Sequence, residues 1–208
     1  MEDKLTKIIN RYWVLFSHVP TSEEKMHHHI WKTLHKTEEA LTTFSLLLRS
    51  KQTKPVCNYL ENIFNNYQDD EPLLDYLKDL SHLLTWEFGY DELPDNLKER
   101  YAFAELLGPR GMVISDELIL GLVLLAPNTY YPRHRHPNIT ETYICLYGSC
   151  SIDLQNQRNV LQKNDYLFVP KGNLHAIFSD KDNPCLLAYA WTSDAKTLKT
   201  NQMKLESY

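Results

Sequence analysis

The chain has 208 residues, of which 43% are hydrophobic and 24% charged, and its formal net charge is −5. These proportions are typical of globular proteins and argue against a disordered, collagen-like or coiled-coil chain. The acidic balance, with no basic stripe along the sequence, argues against a nucleic-acid binder. The length allows one barrel-sized domain together with a smaller helical element.

The chain carries no recognisable targeting or membrane-spanning segment. It opens with charged residues and no apolar run follows, so we expect no signal peptide. The longest apolar run, 118–126, is too short to cross a bilayer and suits a buried strand. The four cysteines form no CxxC pair, and we interpret them as reduced thiols. We therefore expect a cytoplasmic protein with no membrane partner.

The first 95 residues show helical periodicity. Apolar residues at spacings of three and four predict a first amphipathic helix, on the face formed by Leu5, Ile8, Ile9, Tyr12, Trp13 and Phe16. Pro20 ends this helix, and residues from Thr21 to Glu24 are interpreted as the capping box of a second one. Two further helical segments follow Pro55 and Pro72. The apolar faces of these helices must cover either each other or a sheet.

From about Phe103 the pattern changes to short segments rich in β-branched and aromatic residues. The predicted strands are 112–115, 117–126, 134–136, 141–147, 149–155, 166–169, 175–178 and 185–191. Many short strands separated by turn residues predict a small barrel or double-sheet jelly roll. We therefore predict an α+β fold, with a helical N-terminal region at 1–95 and a C-terminal β-barrel at 96–208.

The residues that most clearly indicate a chemical function lie at 130–143. Residues two apart in a strand face the same side, so His134 and His136 are predicted to project together. Glu141 and Tyr143 form a second pair of this kind, after a Pro-Asn turn. Two imidazoles and a carboxylate that converge on one point form a site for a divalent transition metal.

A fourth metal ligand is predicted from the segment 170–175. Its Pro and Gly shape a tight turn, and His175 opens the strand that follows. Three imidazoles and one carboxylate suit Zn, Fe, Mn, Ni or Co, and Tyr143 is a further candidate ligand. A single histidine in a strand is usually only a polar residue with a hydrogen-bond partner, so the prediction rests on the four residues together.

This pattern resembles the cupin superfamily. Its first motif, G-x5-HxH-x3,4-E-x6-G, is matched by His134, His136, Glu141 and Gly148. The PxG-x2-H core of the second motif is matched by Pro170, Gly172 and His175. Asn128 and Asn164 stand where the motifs begin with glycine, and asparagine tolerates the positive φ that glycine supplies. The resemblance covers about residues 110–192 and implies a β-barrel with a metal inside.

Within the cupins, the chain resembles the dimethylsulfoniopropionate (DMSP) lyases, which join a helical N-terminal region to a C-terminal cupin. Their pattern, Y-x-x-H-x-H, then E-x-Y, then a histidine and a tryptophan, is matched by Tyr131, His134, His136, Glu141, Tyr143, His175 and Trp191. The resemblance implies a metal-dependent β-elimination that converts DMSP to acrylate and dimethyl sulfide.

Three aromatic residues are the candidates for catalysis and substrate binding. Tyr143, two residues from Glu141 on the same face, is the expected general base, and Tyr131 is the competing candidate. Trp191 and Tyr131 are expected to hold the sulfonium cation against their aromatic faces. The expected partner is therefore a small sulfonium carboxylate, and a homodimer is left open.

Two other functions are compatible with a metal-binding cupin. One is a different metal-dependent activity, such as a dioxygenase or an isomerase acting on a small organic acid. The other is a ligand-binding cupin without catalysis, whose helical region contacts a partner. The fold by itself does not separate these activities. The joint presence of Tyr131, Tyr143 and Trp191 around the predicted ligands favours the lyase.

Overall fold

The computed structural model describes residues 1–67, 72–90 and 92–200. Its α-helices are α1 (Glu2–Ser17), α2 (Glu24–Thr43), α3 (Tyr59–Asn66), α4 (Pro72–Leu80), α5 (Asp95–Lys98) and α6 (Ala195–Thr200). The predicted apolar face of α1 is buried, except that Trp13 is half-buried and donates a hydrogen bond to Glu38. None of the described helices has the length and apolar character needed to cross a membrane.

The predicted capping box at the start of α2 is wrong. The helix begins at Glu24, and the backbone of Glu23, its N-cap residue, is still extended. Thr21 therefore lies two residues before the cap and too early to accept a hydrogen bond from the free N–H groups of the first turn.

The strands are β1 (Trp86–Glu87), β2 (Tyr101–Leu107), β3 (Leu118–Leu125), β4 (Tyr130–His134), β5 (Thr140–Tyr147), β6 (Cys150–Leu154), β7 (Gln157–Leu161), β8 (Tyr166–Val169), β9 (His175–Ser179) and β10 (Cys185–Thr192). They form a six-stranded sheet in the order β1-β2-β3-β10-β5-β8 and a four-stranded sheet in the order β4-β9-β6-β7. Every pairing in these two sheets is antiparallel. A helical region followed by a double-sheet barrel confirms the predicted α+β fold.

Two strand predictions need correction. Residues 112–115 form no strand, because only Val113 makes isolated bridges, with Leu46 and Leu107. Conversely, β1, β2 and β7 are absent from the predicted strands. All seven residues of β2 are buried, so the strand lacks the alternation of apolar and polar residues that marks a half-exposed one.

The six-stranded sheet is buried on both faces. Helices α1 and α2 cover its outer face, where the Tyr12 hydroxyl donates a hydrogen bond of 2.8 Å to the carbonyl of Gly121. Its inner face and the four-stranded sheet enclose a second hydrophobic cluster. Strand β10 contributes to this interior the side chains of Leu187, Tyr189 and Trp191. The helices thus seal the sheet from outside, while the barrel interior holds the candidate site. The division of the chain between residues 95 and 96 stays a prediction.

Asparagine replaces glycine at two turns, as the motif comparison anticipated. Asn128 has φ +52° and Asn164 has φ +68°, both in the left-handed region. Asparagine tolerates this conformation better than most residues because its short amide can hydrogen-bond locally. The two substitutions therefore preserve the turns that lead into β4 and β8.

Candidate metal centre and its cavity

Three histidines meet inside the barrel. Their candidate ligand atoms, on His134, His136 and His175, all lie within 4.8 Å of one another, and all three side chains are buried. His134 ends β4 and pairs across the sheet with His175, the first residue of β9. The antiparallel pairing of these two strands therefore brings together residues that are forty-one positions apart in the chain.

The prediction that His134 and His136 face the same side of one strand is wrong. Strand β4 ends at His134, and His136 lies beyond it, in a turn where its carbonyl accepts a hydrogen bond of 3.2 Å from the amide of Ile139. The two imidazole rings nevertheless approach to 5.3 Å between centroids. The turn, rather than strand alternation, directs His136 to the centre.

The carboxylate comes from the opposite sheet. Glu141 lies on β5, and its Oε2 atom is 3.4 Å from Nε2 of His175 and 3.9 Å from Nε2 of His136. Glu141 has about 1% of its surface exposed. The four predicted ligands therefore approach one another from two sheets and one turn.

Backbone carbonyls orient two of the imidazoles. Nδ1 of His134 lies 2.9 Å from the carbonyl oxygen of Pro132, and Nδ1 of His175 lies 3.1 Å from that of Asn173. A carbonyl oxygen only accepts hydrogen bonds, so Nδ1 carries the proton in both rings. Each Nε2 then presents its lone pair to the centre, which is the form of histidine that binds metal.

Several polar atoms at this centre have no hydrogen-bond partner among the described residues. They are Nε2 of His134, both ring nitrogens of His136 and Oε2 of Glu141. Leaving a buried polar atom without a partner costs about 1–3 kcal/mol each. Nitrogen lone pairs and a carboxylate oxygen facing one point are the donor set of a divalent transition metal. These residues therefore fit such an ion.

The site electrostatics favour the metal-binding protonation states. Burial lowers the pKa of His136 to about 4 and that of His134 well below its ordinary value. Burial would raise the pKa of Glu141, but the nearby imidazoles of His175 and His136 and the hydrogen bond from Trp191 outweigh it and lower this pKa. At neutral pH His134 and His136 are thus neutral and Glu141 is ionised, the states that a cation requires.

The three predicted aromatic residues line the same cavity. The cavity is about 10 Å³ in volume, close to the size of one water molecule, and is bordered by His134, His136, Glu141, Tyr131, Tyr143 and Trp191. The Tyr143 hydroxyl lies 3.5 Å from Nε2 of His175. The indole Nε1 of Trp191 donates a hydrogen bond to Oε1 of Glu141, and its ring lies 4.4 Å from that of His136.

The same cavity has walls that the sequence analysis missed. They are formed by Tyr101, Phe103, Val123 and Tyr189. In β2, Tyr101 and Phe103 alternate with Ala102 and Ala104, and this alternation of large and small residues was a usable signal for an inner face. Tyr189 stands two residues before Trp191 on the same strand, so the same rule would have found it.

Comparisons with known proteins agree on one family. The family model described as dimethylsulfoniopropionate lyase matches residues 24–187. The chain is 44% identical over 124 residues to the DddL protein of Cereibacter sphaeroides, a match that covers 60% of this chain and 52% of that protein. It is 30% identical over 115 residues to the dimethylsulfoniopropionate lyase DddQ of Ruegeria pomeroyi, covering 54% and 56%. The chain thus spans about half the length of the curated relatives it matches.

Solved structures share the whole architecture. The crystal structure of DMSP lyase DddQ from Ruegeria pomeroyi has a TM-score of 0.76 and 18% identity, covering 99% of this chain and 97% of that one. A structure from a study of the DMSP lyases RdDddP and RnDddQII has a TM-score of 0.75 and 19% identity, covering 99% and 98%. At these identities the likeness establishes the fold, including the helical region in front of the barrel.

Proposed function

Since the chain belongs to the dimethylsulfoniopropionate lyase family, we propose that it cleaves DMSP to acrylate and dimethyl sulfide in the cavity described above. The observation that carries the proposal is the convergence of His134, His136, His175 and Glu141 beside the phenol of Tyr143, inside one cavity. This arrangement supports a cation site and a proton acceptor within reach of the same small substrate.

We assign His134, His136, His175 and Glu141 as the ligands of one divalent transition metal, with Zn, Fe, Mn, Ni and Co as the candidates. The unpartnered nitrogen and oxygen atoms at the centre support this assignment. When bound, such a metal supplies Lewis acidity, which stabilises negative charge on a substrate carboxylate and lowers the pKa of a nearby phenol.

We assign the proton transfer to Tyr143. As the phenolate, its oxygen takes the proton from the carbon next to the substrate carboxylate. The electron pair of the broken C–H bond forms the C=C bond of acrylate, and the C–S bond breaks with its electron pair on sulfur, releasing dimethyl sulfide. In the protein alone, burial and then the charge of Glu141 raise the pKa of Tyr143 well above its ordinary value, so the base role requires the cation.

We assign the sulfonium end of the substrate to the aromatic wall that includes Tyr131 and Trp191. The indole of Trp191 borders the cavity, and its Nε1–H is already used in the hydrogen bond to Glu141, so only its ring remains for contact with a cation. The free space in this cavity is about 10 Å³, room for one water-sized group, so we expect side chains of the wall to move apart when the substrate enters.

The direct experiment is headspace gas chromatography of purified, metal-loaded protein with DMSP. We expect dimethyl sulfide and acrylate in equal amounts, and loss of both after the metal has been removed with a chelator. Absence of dimethyl sulfide from fully loaded protein would contradict the proposal. Oxygen consumption with another small acid would instead identify a different cupin enzyme.

A further inference from the structure

Tyr90 is a residue of the site that comes from outside the barrel strands. It lies between β1 and α5, in the segment that joins the helical region to the barrel. This segment is attached on both sides: Nζ of Lys54 lies 4.5 Å from the ring centroid of Phe88, and Leu93 is buried in the cluster that fills the barrel. The helical region and the barrel therefore both determine where Tyr90 lies.

The hydroxyl groups of three tyrosines form a chain. The Tyr131 hydroxyl donates a hydrogen bond of 3.3 Å to the hydroxyl of Tyr101, and the hydroxyls of Tyr90 and Tyr131 are also hydrogen-bonded. A phenol hydroxyl can both donate and accept hydrogen bonds, so Tyr131 joins the hydroxyls of Tyr90 and Tyr101 in one chain.

Ring packing supports the same arrangement. The rings of Tyr101 and Tyr131 stack with centroids 4.4 Å apart, and Tyr90 meets Tyr131 edge-on at 6.2 Å. The Tyr131 ring also lies 4.3 Å from the imidazole of His134. Tyr131 lines the cavity, and Tyr90 contacts Tyr131 without being part of the cavity lining. A group that holds the hydroxyl of Tyr131 thereby fixes the orientation of a ring in the cavity wall.

We infer that Tyr90 is a positioning residue, which orients the ring of Tyr131 so that the cationic end of the substrate meets the aromatic wall in one geometry. This inference rests on the proposed function. It also gives the helical region a part in the site, because that region anchors the segment that carries Tyr90. An ion pair of 3.1 Å between Arg49 and Glu87, the last residue of β1, stabilises the position where this segment begins.

The test is a double-mutant cycle on ligand binding. The probe is 3-(trimethylammonio)propanoate, which keeps the cation and carboxylate of DMSP but has a poor leaving group. Tyr90→Phe removes only the hydroxyl, so we expect the Kd for this probe to rise about fivefold, the equivalent of one hydrogen bond. In a Tyr131→Phe background, the Tyr90→Phe substitution should change Kd by less than twofold, because the hydroxyl to which Tyr90 is hydrogen-bonded is already absent.

Turnover gives a second readout. With DMSP, Tyr90→Phe should raise KM by a similar factor and leave kcat nearly unchanged, since the base is intact. Tyr59→Phe, on α3 and remote from the cavity, is the matched control and should change neither quantity. Equal effects of Tyr90→Phe with and without the Tyr131 hydroxyl, or no effect on Kd, would overturn the inference while leaving the proposed function intact.

Failure of the proposed function gives a different pattern. A wild-type protein that neither binds the probe nor releases dimethyl sulfide would overturn both proposals. A wild-type protein that binds the probe but releases no dimethyl sulfide would overturn only the lyase assignment, and the binding cycle would still decide the role of Tyr90. Near-ultraviolet circular dichroism checks that each variant retains the packing of its aromatic residues.

Discussion

Trp191 donates the hydrogen bond that holds Glu141 in place. The two residues lie on neighbouring strands and are direct partners in the pairing of β10 with β5. The bond engages Oε1 of the carboxylate, and Oε2 is the oxygen that lies near His136 and His175. Trp191 therefore orients a predicted metal ligand, in addition to the substrate-binding role expected from the sequence.

The first prediction concerns this bond. Trp191→Phe keeps an aromatic ring but removes the donor, so Glu141 loses its orientation and one oxygen is left unpaired. Loss of such supporting hydrogen bonds typically lowers metal affinity about 10–100-fold, and we expect a change in this range. Competition with a chromophoric chelator measures it. Trp13→Phe, which loses a hydrogen bond to Glu38 on the helical region, is the control, and equal metal affinity in both variants would contradict the role given to Trp191.

The second prediction separates the two candidate bases. Tyr143→Phe removes the phenol that is assigned to proton transfer, so kcat for dimethyl sulfide release should fall by about 10²–10⁴-fold. Metal content, measured by elemental analysis, should stay the same, because the four ligands are untouched. If the variant keeps its activity, the base role passes to Tyr131, and Tyr131→Phe becomes the decisive variant.

The third prediction concerns the imidazole ligands. His136→Ala and His175→Ala each remove one nitrogen donor from the centre, so both variants should lose metal and activity together. Elemental analysis after gel filtration measures the metal, and far-ultraviolet circular dichroism reports whether the barrel has folded. A folded variant that retains stoichiometric metal would contradict the ligand assignment.

The fourth prediction concerns Gly121, on the inner face of β3. A Cβ atom at this position would lie 2.6 Å from the Tyr189 ring and closer still to the carbonyl oxygen of Ala104. The glycine therefore makes room for Tyr189 in the cavity wall. Gly121→Ala should lower the free energy of unfolding by about 1–3 kcal/mol, the usual cost of overpacking a core. Urea denaturation measures it.

A companion variant, Tyr12→Phe, tests the contact that the helical region makes with Gly121. It removes the hydrogen bond to the Gly121 carbonyl from the helical side and should lower the free energy of unfolding by about 1 kcal/mol. An unchanged stability in both variants would show that the contact of α1 with the sheet, and the close packing around Gly121, contribute little to folding.

The fifth prediction concerns pH. His29, buried between α2 and the sheet, is hydrogen-bonded to Thr192 at 2.6 Å, and burial lowers its pKa from 6.5 to about 3. As the pH falls below 6.5, the unfolded chain binds the proton first, so the folded state loses stability down to about pH 3. Near pH 4.5 this loss is about 2–3 kcal/mol.

His29→Gln isolates this effect. Glutamine does not titrate, so the stability of the variant should fall less steeply than that of wild type between pH 7 and 4.5. The other buried histidines are present in both proteins and cancel in the difference. Parallel stability curves for the two proteins over this range would contradict a neutral, buried His29.

Local patterns in the sequence were sufficient to predict much of the fold. Periodicity predicted α1 to α4 and most of the strands from β3 onward, because side chains repeat every 3.6 residues in a helix and every two in a strand. It failed for β2, because a strand that is buried on both faces lacks the alternation of apolar and polar residues. The motif spacing also predicted all four metal-ligand candidates, which the structure brings together at one centre.

The sequence by itself thus determined the helical region, the barrel and the residues that meet in it, since each depends on local spacing. Only the tertiary structure decided how they meet. Strand pairing joins Trp191 to Glu141, and packing of the connecting segment brings Tyr90 to Tyr131. These contacts depend on register and on the packing of segments far apart in the chain, and no local periodicity encodes either.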